Sequence, residues 1–130
     1  MKKNKKGFSF VELIVVVAII AVLSMAAIIS YGPIQKKSRD SRRVADLEKI
    51  KMALEMARQI GTTYPATDSV QTVLVPNFMQ TYPTDPKPVL PYLYTQVTPY
   101  TFTIYAKMED AGSTNCPTTC GSYNYRVTNP

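Results

Sequence analysis

Two groups of residues in this chain have the types and spacing to do chemistry. The first lies at the N-terminus. Gly7 closes a basic leader, MKKNKKG, and stands directly before a run that opens FSFVEL and stays uncharged from Leu13 to Ile29. A secretory signal keeps its apolar region ahead of the cleavage site and loses it on cutting. Cleavage after Gly7 would instead leave the apolar run attached to the product. Glu12 is the ionisable residue of that segment. A carboxylate at membrane depth costs on the order of 3 kcal/mol on insertion scales, less near the end of a span, and calls for a partner. Removing residues 1–7 creates one, the new α-amino group of Phe8. The alternative is that Glu12 reaches water at the interface and the leader is an ordinary positive flank.

The second group is Cys116 and Cys120, which enclose Pro-Thr-Thr. The chain has no histidine, so two thiols cannot complete a four-ligand zinc site, and the spacing fits neither a CxxC redox motif nor a haem attachment motif. A disulfide formed outside the reducing cytoplasm is expected, with free buried thiols as the alternative. Glu109 and Asp110 offer carboxylates nearby but lack EF-hand spacing, so no metal site is expected. The run KKSRDSRR, residues 36–43, has the charge to meet lipid headgroups or DNA; a solvated helix surface is the expected reading. No nucleophile–base pair, paired-carboxylate pattern or phosphate-cradling glycine loop is present, so neither an enzyme nor a cofactor is expected.

The elements that position these residues follow from pattern and charge. Residues 13–29 span about 26 Å as a helix and residues 8–31 about 36 Å, against a bilayer core of roughly 30 Å. The formal charge of +6 is uneven: Lys2, Lys3, Lys5 and Lys6 precede the apolar run, and residues 59–130 are close to neutral. Nucleic acid is therefore not indicated. Gly32-Pro33 should kink or end the first helical stretch. Val44, Leu47, Ile50, Leu54, Ala57 and Ile60 then recur at helical spacing, with Gly61 a plausible C-cap. Beyond it, Asp68 is placed to cap a short helix through SVQTVLV, a segment that reads almost as well as a strand. Strand signals cover Tyr92–Val97, Tyr100–Met108 and Ser122–Thr128. Tyrosines at alternating strand positions are expected to pack core and sheet. The fold class is α+β: a long N-terminal helix, transmembrane in its first half and packed by its second half on a three-stranded antiparallel sheet.

The segment KKGFSFVELIVVVAIIAVL resembles the leader and N-terminal helix of type IV pilins and type II secretion pseudopilins. Gly7, Phe8, Ser9, Phe10, Val11, Glu12 and Leu13 match that pattern position by position. KSRDSRRVADLEKIKMALEMARQIGTTYP is similar to the later helix of the major pseudopilin type, and QTYPTDPKP to the Pro-x-Asp-Pro loop before its sheet. The resemblance implies a leader over residues 1–7, a membrane and filament-core helix over 8–31, its amphipathic continuation over 32–60 and a head over 61–130. It implies a prepilin peptidase cutting between Gly7 and Phe8, methylation of Phe8, and Glu12 of one subunit meeting the Phe8 amine of a neighbour in a helical homopolymer. The implied partners are further copies of the chain, the peptidase, a pilus or secretion assembly platform, and membrane lipid before assembly. Many pilins carry a C-terminal disulfide around a longer loop than this one, and major pseudopilins often carry a calcium loop that Glu109 and Asp110 do not reproduce. Five basic residues follow the span and four precede it, so that count does not set orientation. The leader pattern, the cysteine pair and the exported character of residues 61–130 put the N-terminus in the cytoplasm, with the chain later in an extracytoplasmic or surface filament. The alternative function is an uncleaved, single-pass anchored binding module. Pilus and pseudopilus are not separated by these motifs.

Overall fold

The computed structural model describes residues 7–88, 90–116 and 120–129, without the side chains of residues 26–30. It is an α+β chain. Helix α1 (Phe10–Gly61) is followed by a 3-10 turn (Thr67–Ser69), α2 (Val70–Leu74), β1 (Leu93–Thr98), β2 (Thr101–Ala106), a second 3-10 turn (Ala111–Ser113) and β3 (Tyr125–Thr128). Two compact units are present, one ending at Gln35 and the other beginning at Lys36.

The first unit holds the N-terminal part of α1. A run this rich in Val and Ile leans toward strand by propensity, yet it is helical and so satisfies its own backbone groups within the segment. Ser24 follows the same logic, its hydroxyl donating back to the Ile20 carbonyl at 2.7 Å. The large apolar side chains described from Phe8 to Met25 are all exposed. Among the described residues, no helix is long and apolar enough to cross a membrane. The described side chains of the uncharged run stop at Met25, and the leader residues 1–6 lie outside the described chain. Pro33 lies inside α1, so of the kink or end expected at Gly32-Pro33 the end does not occur. A proline removes one N–H from the ladder, and the hydrogen bonds on either side suffice to carry the helix past it.

The second unit is built around the C-terminal part of α1. Leu47, Ile50, Ala53, Leu54 and Ala57 fall on one face and are buried with Tyr64, Leu74, Tyr94, Phe102, Ile104 and Val127 in a single core. Val44 packs partly against it, but Ile60, expected on this face, is 78% exposed, because the core ends one turn earlier. The helix is not capped by a glycine beyond its end. Gly61 is its last residue, and Thr62 takes the left-handed conformation (φ 66°) while donating to the Arg58 carbonyl at 2.7 Å. Tyr64 then turns the chain inward. Its ring meets Phe102 edge-on at 4.7 Å, its hydroxyl donates to Glu55, and its N–H donates to the Pro99 carbonyl in the β1–β2 turn. Of the two readings of SVQTVLV, helix is correct. Asp68 lies within the preceding 3-10 turn, and no side chain caps α2.

The sheet is antiparallel in the order β1-β2-β3. Phe102, Ile104 and Ala106 of β2 face the core, with Met108 buried just beyond the strand. β1 has the expected length, shifted by one residue, whereas β2 and β3 are shorter than expected, and asparagines explain the difference. Asn124 accepts from the Met108 N–H (2.6 Å) and donates to the Met108 carbonyl (3.1 Å). Asn129 accepts from the Phe102 N–H (3.2 Å) and donates to the Tyr100 carbonyl (3.1 Å). Side-chain amides thus continue the ladder at both ends of a four-residue strand, where main-chain pairing had been expected. On its outer edge, Asn115 accepts from the Arg126 N–H (2.8 Å) and donates to the Arg126 carbonyl (2.9 Å).

Candidate functional site

At the N-terminus, Gly7, Phe8 and Ser9 precede regular structure, and a side chain added at Gly7 would meet nothing within 4 Å. Phe8 is 85% exposed. The α1 ladder starts from the Ser9 carbonyl, which accepts from the Leu13 N–H at 3.2 Å. The Glu12 carboxylate accepts from the Ser9 N–H at 2.9 Å. This is one half of a capping box, in which the third helical residue reaches back to the N-cap, and it places a negative charge at the positive end of the helix. The local role was available from the sequence as Ser-x-x-Glu but is hidden by the attention a carboxylate draws in an apolar segment. No contact between Glu12 and the Phe8 nitrogen is seen among the described residues.

Cys116 and Cys120 are joined by a disulfide, with Cα atoms 6.0 Å apart; residues 117–119 within its loop lie outside the described chain. The Cys116 and Asn115 N–H groups both donate to the Asn124 carbonyl, which ties this loop to the start of β3.

The basic run at residues 36–43 is not simply a solvated surface. Arg43 is 3% exposed at its side chain and grips Asp85 with two parallel bonds, Nε to Oδ2 at 2.7 Å and Nη2 to Oδ1 at 2.8 Å. Its Nη1 also donates to Asp40 (2.7 Å) and Glu109 (3.1 Å). Arg39 holds Glu109 with a second two-bond grip at 2.6 and 2.8 Å, and Lys87 adds a bond at 3.0 Å. Asp40 in turn accepts from the backbone N–H groups of Glu109 and Asp110. One turn of α1 therefore clamps the Pro-x-Asp-Pro loop at Asp85 and the loop after β2 at Glu109. These hydrogen bonds, Arg39 foremost, hold the Glu109 carboxyl well below the usual carboxylate range. Asp85, with its neighbours against it, raises the Arg43 guanidinium above its already high value. Glu109 thus serves as the anion of an arginine cluster. Among the described residues, no group of three or more His, Cys, Asp or Glu side chains is placed to hold a metal ion.

Most tyrosines pack the core and sheet. Tyr92 donates to Asp46 at 3.2 Å, and Tyr105 lies over Tyr123 at 6.0 Å, while Tyr100 is exposed. Burial pushes the Tyr82 hydroxyl up to about 12, and that oxygen has no protein partner among the described residues.

An apolar helix with one carboxylate in its first turn, followed in the chain by a helix packed on a three-stranded antiparallel sheet, is the architecture of the pilin class. Comparison with known proteins narrows this. Residues 2–28 match the family described as "Prokaryotic N-terminal methylation motif". The chain is 32% identical over 90 residues to the type II secretion system core protein G of Vibrio cholerae, an alignment covering 68% of this chain and 58% of that protein. It is 34% identical over 61 residues to a probable minor fimbrial protein of Dichelobacter nodosus, covering 47% of this chain and 38% of the relative. The chain thus spans less than two thirds of the curated relatives it matches. No solved structure is significantly similar to it. Over these segments the chain is similar to type IV pilins and type II secretion pseudopilins.

Proposed function

We propose that the chain is a structural subunit of a type IV pilus or type II secretion pseudopilus. A prepilin peptidase cuts between Gly7 and Phe8, and the new Phe8 amine is methylated. The product is held in the cytoplasmic membrane by its N-terminal helix, with its N-terminus on the cytoplasmic side. An assembly platform then draws it into a filament of its own copies. The observation that carries this reading is the methylation-motif match over residues 2–28, which covers the leader, Gly7, Phe8 and Glu12 together.

Local chemistry supports each step. Gly7 sits outside regular structure with open space where a side chain would be, so its peptide bond is accessible and flexible enough to enter a protease site. The exposed apolar surface from Phe8 to Met25 needs either lipid or copies of itself to cover it. Once the helices bundle, a charged Phe8 amine in a low dielectric requires a counter-charge, and Glu12 of a neighbouring copy supplies one.

Intact-mass and N-terminal analysis of the membrane-associated protein, in cells with and without prepilin peptidase, tests the reading. The expected product begins at methylated Phe8 only where the peptidase is present, and Gly7→Leu stays uncut. A mature chain beginning at Met1 in peptidase-containing cells would overturn it in favour of the uncleaved anchor.

A further inference from the structure

The arginine cluster leaves an electrostatic remainder. Asp40, Asp85 and Glu109 are matched by Arg39, Arg43 and Lys87, so those six groups are neutral together. A cavity of about 340 Å³ opens beside them, with Arg43, Asp85 and Glu109 in its wall. Lys36, Lys87 and Lys107 also line it, and neither Lys36 nor Lys107 has a carboxylate partner among the described residues. Two lysines whose charge no carboxylate offsets among the described residues therefore line one concave site with a third, Lys87, that is 53% exposed. Leu90 and Met108 give the same cavity an apolar wall. Its volume is at the small end of the range for ligand sites, roughly 300–1,000 Å³.

We propose that this cavity is an anion site for a phosphoryl group, bound by the ammonium groups of Lys36 and Lys107 and completed by Lys87. Ammonium groups on flexible stems suit a tetrahedral oxyanion, whose charge they meet as point charges from several sides. Arg43 contributes through its field alone, because Asp40, Asp85 and Glu109 already engage it. The apolar wall favours a phosphoryl group with an apolar neighbour, as in the headgroup region of an anionic phospholipid, over a fully hydrated ion. The site lies wholly within the unit that begins at Lys36 and does not depend on the filament reading. Only the lipid source of the ligand depends on the membrane placement proposed above.

The test is NMR of the full chain in uncharged detergent micelles, observing lysine side chains. Inorganic phosphate is titrated in one arm and phosphatidylglycerol doped into the micelles in the other. Saturable shifts at Lys36, Lys87 and Lys107 are expected, together with binding about tenfold weaker in Lys36→Gln/Lys107→Gln. The charge-matched Lys37→Gln/Lys51→Gln variant should bind as wild type does. A response to phosphatidylglycerol at lower concentration than to phosphate identifies a lipid headgroup; the reverse order identifies a free phosphate, and either supports the site. Equal weakening in both double variants, or no saturable shift in either arm, would overturn it. Leader processing is scored on the same variants, so failure of the anion site and failure of the filament reading remain separable.

Discussion

Replacing Arg43 with Met should be the most damaging single change in the unit that begins at Lys36. The side chain is 3% exposed and donates to three carboxylates, of which Asp40 and Asp85 are equally buried and Glu109 is 15% exposed. Methionine fills similar space but leaves those charges in a low-dielectric site, with Arg39 and Lys87 positioned for Glu109 alone. Removing one partner of a buried ion pair typically costs about 3–5 kcal/mol. With a urea m-value of about 1.5 kcal/mol/M, the midpoint should fall by about 2–3 M. Arg42→Met serves as the control. Arg42 is 69% exposed and 4.0 Å from Asp46, so its loss should cost less than about 1 kcal/mol. Adding Asp85→Asn to Arg43→Met should recover about 1–2 kcal/mol, since one stranded charge is removed while the amide oxygen can still accept from the Lys87 N–H. The assay is urea unfolding of the full chain in uncharged micelles, followed by tyrosine near-UV signal; only Tyr31 of the nine tyrosines lies before residue 61. An Arg43→Met midpoint within the error of the Arg42 control, at unchanged m, would refute the cluster's role.

Acid should weaken the head through Glu109. Its carboxyl is held below its ordinary value in the fold, so the stabilisation is present above the unfolded value of about 4.3 and is lost as pH falls below it; Glu109→Gln should flatten that fall in a urea series from pH 7 to 3. Thr62→Gly should raise stability by about 1 kcal/mol, because a β-branched residue is held at φ 66°, and the urea midpoint reads the gain. Cys116→Ser/Cys120→Ser should cost about 2 kcal/mol or less, since only a short loop is released, as thermal unfolding with and without the pair will report. Glu12→Gln and Glu12→Ala should both insert and be cut normally yet give few filaments by shearing and imaging. An unpaired Phe8 amine costs about 3–5 kcal/mol per subunit added, although glutamine can keep the bond to the Ser9 N–H.

The local parts of this fold are legible in the sequence, because periodicity and turn chemistry act over a few residues. Leu47, Ile50, Leu54 and Ala57 mark the buried face of α1, and Phe102, Ile104 and Ala106 mark that of β2. Element ends are less legible because they depend on distant groups. β3 stops where Asn124 and Asn129 take over pairing, and Ile60 is exposed because the buried apolar face of α1 ends at Ala57. The arginine cluster is the hardest to read: Arg43 meets Asp85 across 42 residues and Glu109 across 66, and neither spacing leaves a periodic trace. KKSRDSRR looked like a solvated surface for that reason. At the N-terminus, the Gly7–Glu12 pattern is visible, and the Ser-x-x-Glu spacing within it carries the bond from Ser9 to Glu12.

The Asn115 amide on Arg126 has a consequence for how copies of this chain meet. Arg126 is a point on the outermost strand where a foreign strand would otherwise find a free donor and acceptor side by side. Both are occupied from within the same molecule. On the opposite edge, the Gln96 N–H is taken by the Thr67 hydroxyl. Heads crowded at high local concentration thus have fewer places to zip into a continuous sheet, an association that is difficult to reverse. In the filament proposed above, contact between copies would instead fall to the exposed apolar helix from Phe8 to Met25. In that filament, ordered growth as opposed to tangled aggregation would then rest in part on a single amide in a loop far in sequence from the N-terminal helix.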